Sequence, residues 1–429
     1  MSRLLYSLLL YLLVPLVLMR LLYRSLRTPA YRDRWKERFG FCRLPNDWHD
    51  ARLTIWFHAV SVGETLAAAP LVDAIHKNYP EAQIVVTTMT PTGSERVLAL
   101  LGDGVLHTYL PYDLPGAMKR FIASIRPDLL ILMETELWPN LLHHCRAVGC
   151  RTMLVNARLS VKSARSYQRF ASLTEVTLGQ LDVIAAQSQT DAERFKALGA
   201  YPDRVLATGS LKFDVSPPEN QLDMPAVFQQ IARLARPVLI AASTREGEEE
   251  KILDAFQVCL VKRPELLLIL VPRHPERFDH VARLCEQRGL SVDRRSKDRL
   301  GDDQIQVWLG DSMGEMWRYY RLADLAFVGG SLVDTGCHNV LEPAALGIPV
   351  MVGPSQFNFV VICGQLQEAG ALVTVADQQD LARQTIQLLE NQQQRQSMGE
   401  AGRRTVESNR GCLQRLEMLI AEQLQKRTE

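Results

Sequence analysis

The sequence predicts an α/β protein with parallel sheets, divided into two domains. Short apolar runs bounded by turn residues alternate with stretches of helical spacing, the pattern of buried parallel strands joined by crossover helices. At 429 residues the chain is long enough for two separate cores. The alternation lapses at 214–224, DVSPPENQLDM, a polar, proline-bearing stretch where the domain boundary belongs.

The elements follow in order. Leu4 to Met19 is an uncharged, mostly aliphatic run that Leu21 and Leu22 extend, near the lower limit of roughly 17–20 residues for a spanning helix. No small-residue cleavage site follows it. Instead come Arg20, Arg24, Arg27, Arg32, Arg34, Lys36 and Arg38, which outweigh Arg3 and favour a retained single anchor with the body on the cytoplasmic face. An interfacial helix lying on the membrane is the alternative, and the basic flank can also touch anionic lipid. In the first domain, strands are expected at Leu53 to Val60, Ile84 to Thr88, Leu129 to Met133, Thr152 to Asn156 and Val183 to Ala186. Helices are expected at Thr65 to Asn78, Thr92 to Leu101 and Pro139 to Val148. In the second domain, strands are expected at Val238 to Ala241, Leu266 to Val271, Ile305 to Trp308, Leu325 to Val328 and Ile348 to Val352. The stretch from Gln378 to Gln425 reads as helical throughout and can pack back on the first domain.

Composition excludes several function classes. Apolar content of 47% and charged content of 23% are those of a folded globular protein, and a net charge of +1 gives no sign of bulk nucleic-acid binding. The 8 cysteines are scattered without a CxxC, so metal ligation by cysteine is not indicated and free thiols suit a reducing cytosol. No GxGxxG opens a helix and no GxxxxGK[ST] is present, which removes the usual support for dinucleotide oxidoreductases and P-loop NTPases.

Ligands of such sheets bind beyond the carboxyl ends of the strands. The candidate residues fall there. Phe327 to Pro354, FVGGSLVDTGCHNVLEPAALGIPVMVGP, reads as strand, glycine turn, helix from Asn339 to Leu346, stop at Gly347, and strand. Glycines let the backbone approach a ligand, a helix start offers N–H groups to phosphate, and Glu342 can accept from ribose hydroxyls. A plain strand–turn–helix with a capping glutamate fits the same spacing. Ser61 and Glu64 in HAVSVGE form a capping box, and Glu64 can alternatively face a cleft as a general base. In METELWPN, Glu134 and Glu136 alternate along a strand end, so only one is expected to point inward. Lys212 in GSLKFD can reach an anion as a point charge or be a solvated linker residue. Arg273 and His274 in VPRHPER can grip phosphate oxygens, and GDSMGEM places another glycine turn before a helix.

The ordered set VSVGE, ETELWPN, NARLS, GSLKFD, ASTREGEE, PRHPER and GGS…HN…LEPAA, following an N-terminal anchor, resembles the membrane-anchored Kdo (3-deoxy-D-manno-octulosonic acid) transferases over nearly the whole chain. The resemblance implies a GT-B fold, two Rossmann-like domains facing a cleft. It implies a CMP-Kdo donor and transfer to a hydroxyl of the tetraacylated lipid A precursor (lipid IVA) at the inner membrane. By position it carries the general base to Glu64, transition-state stabilisation to Glu134 and Lys212, and CMP binding to Pro272, Arg273, Met313, Gly314, Glu315, Asn339, Val340, Leu341 and Glu342. Cys337 and Val340 depart from the family's glycine and proline in GGHNPLE. The expected layout is an anchor at 1–24, an acceptor-binding domain at 25–213, a donor-binding domain at 214–390 and a terminal helical segment at 391–429. Transfer is expected to be inverting, without metal or cofactor. A two-domain solute-binding protein, a GT-B nucleotide-sugar epimerase and an inactive lipid scaffold are the rivals. The first needs export, which the arginine flank opposes; the second gives no reason for an anchor; the third leaves the strand-end glycines and acids unexplained.

Overall fold

Strands whose residues are apolar at every position can only sit in a sheet covered on both faces, and this chain builds two such sheets. The molecule is described from a computed structural model over residues 1–46, 48, 52–298 and 300–426; residues 427–429 of the expected terminal segment lie outside the described residues. It divides into two compact units, Met1–Asp214 with Arg410–Glu429, and Val215–Asn409.

The first unit contains β1 (Thr54–His58), β2 (Gln83–Thr88), β3 (Leu106–Tyr109), β4 (Leu129–Met133), β5 (Arg151–Ala157), β6 (Val183–Ala186) and β7 (Val205–Ala207) in the order β3-β2-β1-β4-β5-β6-β7. All neighbours are parallel. Side chains alternate between two cores. Ile55, Phe57, Ile131 and Met133 face one layer, while Trp56, Leu130 and Leu132 face the other beside Phe121. The buried indole of Trp56 donates to Thr87 Oγ1 at 2.9 Å and meets Phe121 edge-on at 5.1 Å. Strand order reverses between β1 and β4, which makes their carboxyl ends the switch point of the sheet.

The second unit contains β8 (Val238–Thr244), β9 (Leu267–Pro272), β10 (Val292–Arg294), β11 (Val307–Leu309), β12 (Leu325–Val328), β13 (Val350–Val352) and β14 (Leu372–Thr374), ordered β10-β11-β9-β8-β12-β13-β14. Its switch point lies between β8 and β12. The strands β3, β7, β10 and β14 were not expected from sequence, nor were the helices Pro115–Ile125 and Val360–Glu368.

The C-terminal stretch is not one helix. Gln378–Glu390, Gln392–Asn409 and Cys412–Gln425 are separate, and the last break falls at Gly411, whose φ of 89° is left-handed backbone that glycine adopts without a Cβ clash. Gln392–Asn409 belongs to the second unit, where Gly399 lies against the Gly347 carbonyl so closely that a Cβ would sit 2.0 Å from it. Cys412–Gln425 covers the first sheet with Cys412, Leu416 and Ile420, all fully buried. Asp214 ties its start down, accepting from the N–H groups of Gly411 and Leu413 at 2.6 Å each.

Helix Arg3–Arg27 is long and apolar enough to cross a membrane, by length and composition. It also docks on the first unit along its length. Arg3 Nη1 and Ser7 Oγ both donate to Asn140 Oδ1 at 3.0 Å, and Tyr6 OH donates to Asp113 Oδ2 at 3.0 Å. Near the other end Leu21 and Ser25 are buried. Leu4, Leu8, Leu12, Leu16, Met19, Leu22 and Leu26 stay exposed on the outer side.

Leu416→Ala should leave a cavity in the first unit's core and lower its stability by about 2–5 kcal/mol. Thermal unfolding followed by circular dichroism checks this; an unchanged Tm would show that the terminal helix contributes nothing to that core.

Candidate active site

In the first unit the switch point is lined with carboxyl groups. Glu64 occupies the third position of helix Val62–Asn78, whose N-cap is Ser61. The capping box forms: Ser61 Oγ accepts from the Glu64 N–H at 3.3 Å and donates to Glu64 Oε1 at 2.8 Å. The Val60 N–H donates to Glu64 Oε2 at 2.7 Å. With the Ser61 backbone also bonded to the carboxylate, acceptor capacity for one incoming hydroxyl remains. Burial pushes the Glu64 pKa up, the bonds from Val60 and Ser61 oppose this, and the Glu134 charge adds to it.

Contrary to the expected alternation, Glu134 and Glu136 join the same cluster. Glu134 follows β4 with φ at 58°, a left-handed backbone that a glutamate seldom adopts and that interrupts the two-residue period of the strand. Its N–H remains bonded to the Val155 carbonyl at 3.0 Å. The Glu136 pKa is pushed up to about 7 by burial, then by the Glu64 charge, while the Trp138 indole donates to it at 2.9 Å and the Glu134 charge raises it further. His58, at the end of β1, is fully buried; burial lowers its pKa to about 4, and its Nε2 has no hydrogen-bond partner among the described residues.

Lys212 sits in the turn Leu211–Phe213, held to the same sheet by a residue that sequence reasoning did not single out. Asn156, the neighbour of Glu134 across the β4–β5 pairing, has φ at 51° and is fully buried. Its Oδ1 accepts from the Leu211 N–H at 3.3 Å and from Ser210 Oγ at 3.4 Å. Two left-handed residues side by side therefore aim Glu134 and fix the Lys212 turn. NARLS carried this signal only as part of a motif.

In the second unit a buried carboxylate organises the switch point. Glu248 is fully buried and accepts from the N–H groups of Gly330 (2.7 Å), Ser331 (3.0 Å), Leu332 (2.9 Å) and Arg245 (3.2 Å). It pins the glycine turn after β12 to the loop after β8. A Cβ on Gly329 would lie 2.6 Å from the Ser243 carbonyl and 2.8 Å from Glu248 Oε2, which explains why that position is glycine. Glu248 was also missed, because its partners are distant in sequence. Beside it Glu249 pairs with Arg277 at 3.0 Å.

The expected nucleotide residues surround this point unevenly. Pro272 ends β9, and the Arg273 N–H donates to the Thr244 carbonyl at 3.0 Å. Met313 is exposed and Gly314 has φ at 76°. The Glu315 carboxylate is occupied by Arg295 at 3.0 Å and Arg318 at 2.8 Å, with Ser312 Oγ at 2.6 Å. The helix expected from Asn339 is shorter: it spans Leu341–Ala345, with Asn339 and Val340 ahead of it. Asn339 Oδ1 accepts from the Leu341 N–H at 3.1 Å, and its Nδ2 donates to Glu342 Oε1 at 3.0 Å. Burial raises the Glu342 pKa to about 7 against that bond. Val340 and Leu341 are fully buried, as is Cys337, which lies 3.8 Å from the Cys363 sulfur. Among the described residues no group of three or more His, Cys, Asp or Glu side chains is arranged to hold a metal.

Two parallel-sheet α/β units with loaded switch points define the GT-B-like class of glycosyltransferases. The family model described as glycosyl transferases group 1 matches residues 243–405, and that described as 3-deoxy-D-manno-octulosonic-acid transferase (kdotransferase) matches residues 33–215. The chain is 41% identical to the 3-deoxy-D-manno-octulosonic acid transferase of Haemophilus influenzae, covering 99% of this chain and 100% of the relative. It is 41% identical to that of Bordetella pertussis, covering 84% and 85%. The chain therefore belongs to the 3-deoxy-D-manno-octulosonic acid transferase family and is a glycosyltransferase. Among solved structures it is similar in fold to UDP-GlcNAc 2-epimerase from Neisseria meningitidis bound to UDP-GlcNAc, at TM-score 0.55 and 14% identity, covering 87% of this chain and 100% of that one.

Glu248→Gln would turn an amide NH2 toward backbone N–H groups that need acceptors. It should cost about 1–3 kcal/mol of stability and loosen the glycine turn. Tm and CMP affinity measured together check this; wild-type values for both would remove Glu248 as the organiser of the turn.

Proposed function

We propose that the chain transfers Kdo from CMP-Kdo to a hydroxyl of lipid IVA with inversion, Glu64 serving as general base. The observation that carries the reading is the buried Glu64 carboxyl at the switch point of the first sheet, raised in pKa and bonded at both oxygens, in a chain of Kdo transferase family. Glu64 takes the proton of the acceptor hydroxyl. The freed oxygen attacks the anomeric carbon, and the bond from that carbon to CMP breaks, so CMP leaves as a phosphate monoester. Glu134 offsets positive charge growing on the sugar ring. Lys212 and Arg273 offset negative charge on the leaving phosphate. Pro272, Met313, Gly314, Glu315 and Asn339 to Glu342 form the CMP site. Glu315 acts there through backbone and loop geometry, because its carboxylate is already shared between two arginines. Glu342, held by Asn339, accepts from the ribose.

Membrane attachment comes from helix Arg3–Arg27. The basic flank alone favours a single crossing, but the bonds from Arg3, Tyr6 and Ser7 to Asn140 and Asp113 favour a second reading. A helix whose two ends both pack on the first unit lies in the plane of the bilayer surface, leucines inward and arginines at the headgroups.

Glu64→Gln should reduce transfer by about 10²–10⁴ while CMP affinity stays near wild type. Normal turnover would remove Glu64 as base. Since the base must be ionised, kcat/KM should rise with pH along an acid limb displaced above the ordinary carboxylate range. Glu134→Gln removes the neighbouring negative charge that raises the Glu64 proton affinity, loosens the Glu64 proton, and should shift that limb to lower pH; a shift upward would contradict the coupling. For the membrane, Leu4→Cys should resist an impermeant thiol reagent in intact cells and react after lysis. Labelling in intact cells would restore the single crossing.

A further inference from the structure

Arg245 is the first residue after β8, and the CMP-binding set expected from the family motifs does not include it. Its Nε–H donates to His338 Nε2 at 3.1 Å and an Nη1–H donates to His274 Nε2. Its backbone is fixed by Glu248. Because β8 pairs with both β9 and β12, the loops bearing Arg245, Arg273 and His338 emerge side by side.

Four other arginines of this unit are matched by acids. Arg277 pairs with Glu249, Arg294 with Asp311, and Arg295 and Arg318 with Glu315. Arg245 forms no ion pair among the described residues; its partners are imidazoles. His338 is kept neutral, its pKa lowered to about 4 by burial and then by Arg245, Arg273 and His274. A neutral imidazole accepting at Nε2 carries its proton on Nδ1, so His338 orients the guanidinium without cancelling its charge. With Nε–H and one Nη1–H used, the second Nη1–H and both Nη2–H groups remain. They form the terminal fork that matches a carboxylate with two parallel bonds.

We propose that Arg245, held in plane by His338 and His274, binds the carboxylate of the donor's sugar acid, while Arg273 serves the nucleotide phosphate. The inference rests on the CMP-Kdo reading above and adds a specificity residue to it. An ulosonic acid bears its carboxylate on the anomeric carbon itself. A grip on that group sets the orientation of the reacting carbon, and a neutral sugar nucleotide lacks the handle.

The test compares two ligands on the full-length enzyme, KM for CMP-Kdo and the inhibition constant of CMP. Arg245→Gln should raise KM for CMP-Kdo by about 10-fold or more and leave CMP inhibition within about 2-fold. Arg245→Lys keeps the charge and loses the fork, so its KM should lie between the two. Equal weakening of both ligands in a folded variant would assign Arg245 to the phosphate and overturn the proposal. An unchanged KM would overturn it as well. Should Arg245→Gln unfold by circular dichroism, the lysine variant decides on the same two constants. Failure of the wild type to transfer from CMP-Kdo would count instead against the underlying reading of function.

Discussion

A carboxyl group removed from water must find hydrogen-bond donors or keep its proton, and both switch points are organised by that requirement. In the second unit Glu248 has found four backbone donors, and the glycine turn after β12 is held in place as a result. In the first unit Glu64 has found fewer and shares its surroundings with Glu134 and Glu136. In the second unit the four donors fix a loop; in both units burial raises the proton affinity of the carboxyl group. A general base profits from that rise, since its proton affinity moves toward the working pH.

The sheets make these placements possible. A parallel sheet collects the ends of its strands at one edge, and the reversal of strand order opens space there. Glu64 follows β1 and Glu134 follows β4, the two strands that flank the reversal in the first unit. Arg245 and Glu248 follow β8, and Gly329 to Ser331 follow β12, the flanking pair in the second. Left-handed residues recur at these ends, at Glu134, Asn156 and Ser243. Each turns the chain out of the strand abruptly, and neighbouring hydrogen bonds hold it there.

Much of this was legible in the sequence, and the failures have physical causes. Central strands such as Leu129–Met133 and Leu325–Val328 were located to the residue because burial on both faces demands unbroken apolar runs. Short strands such as Val292–Arg294 and Leu372–Thr374 carry too few apolar positions to stand out. The last three helices merged into one because Asn391 and the pair Arg410–Gly411 are brief breaks in otherwise helical composition. The Ser61–Glu64 capping box was readable from local spacing. Glu136, Asn156 and Glu248 were not, because their roles arise from a backbone dihedral or from partners far along the chain. The anchor helix was readable as apolar, but the docking of Arg3 and Tyr6 on Asn140 and Asp113 depends on tertiary structure alone.

The most direct measurement incubates the purified enzyme with CMP-Kdo and lipid IVA and follows lipid by mass spectrometry and nucleotide by chromatography. The account predicts lipid heavier by whole Kdo units, with one CMP released for each unit gained. Release of CMP without a change in the lipid, or conversion of the donor in the absence of any lipid, would contradict it.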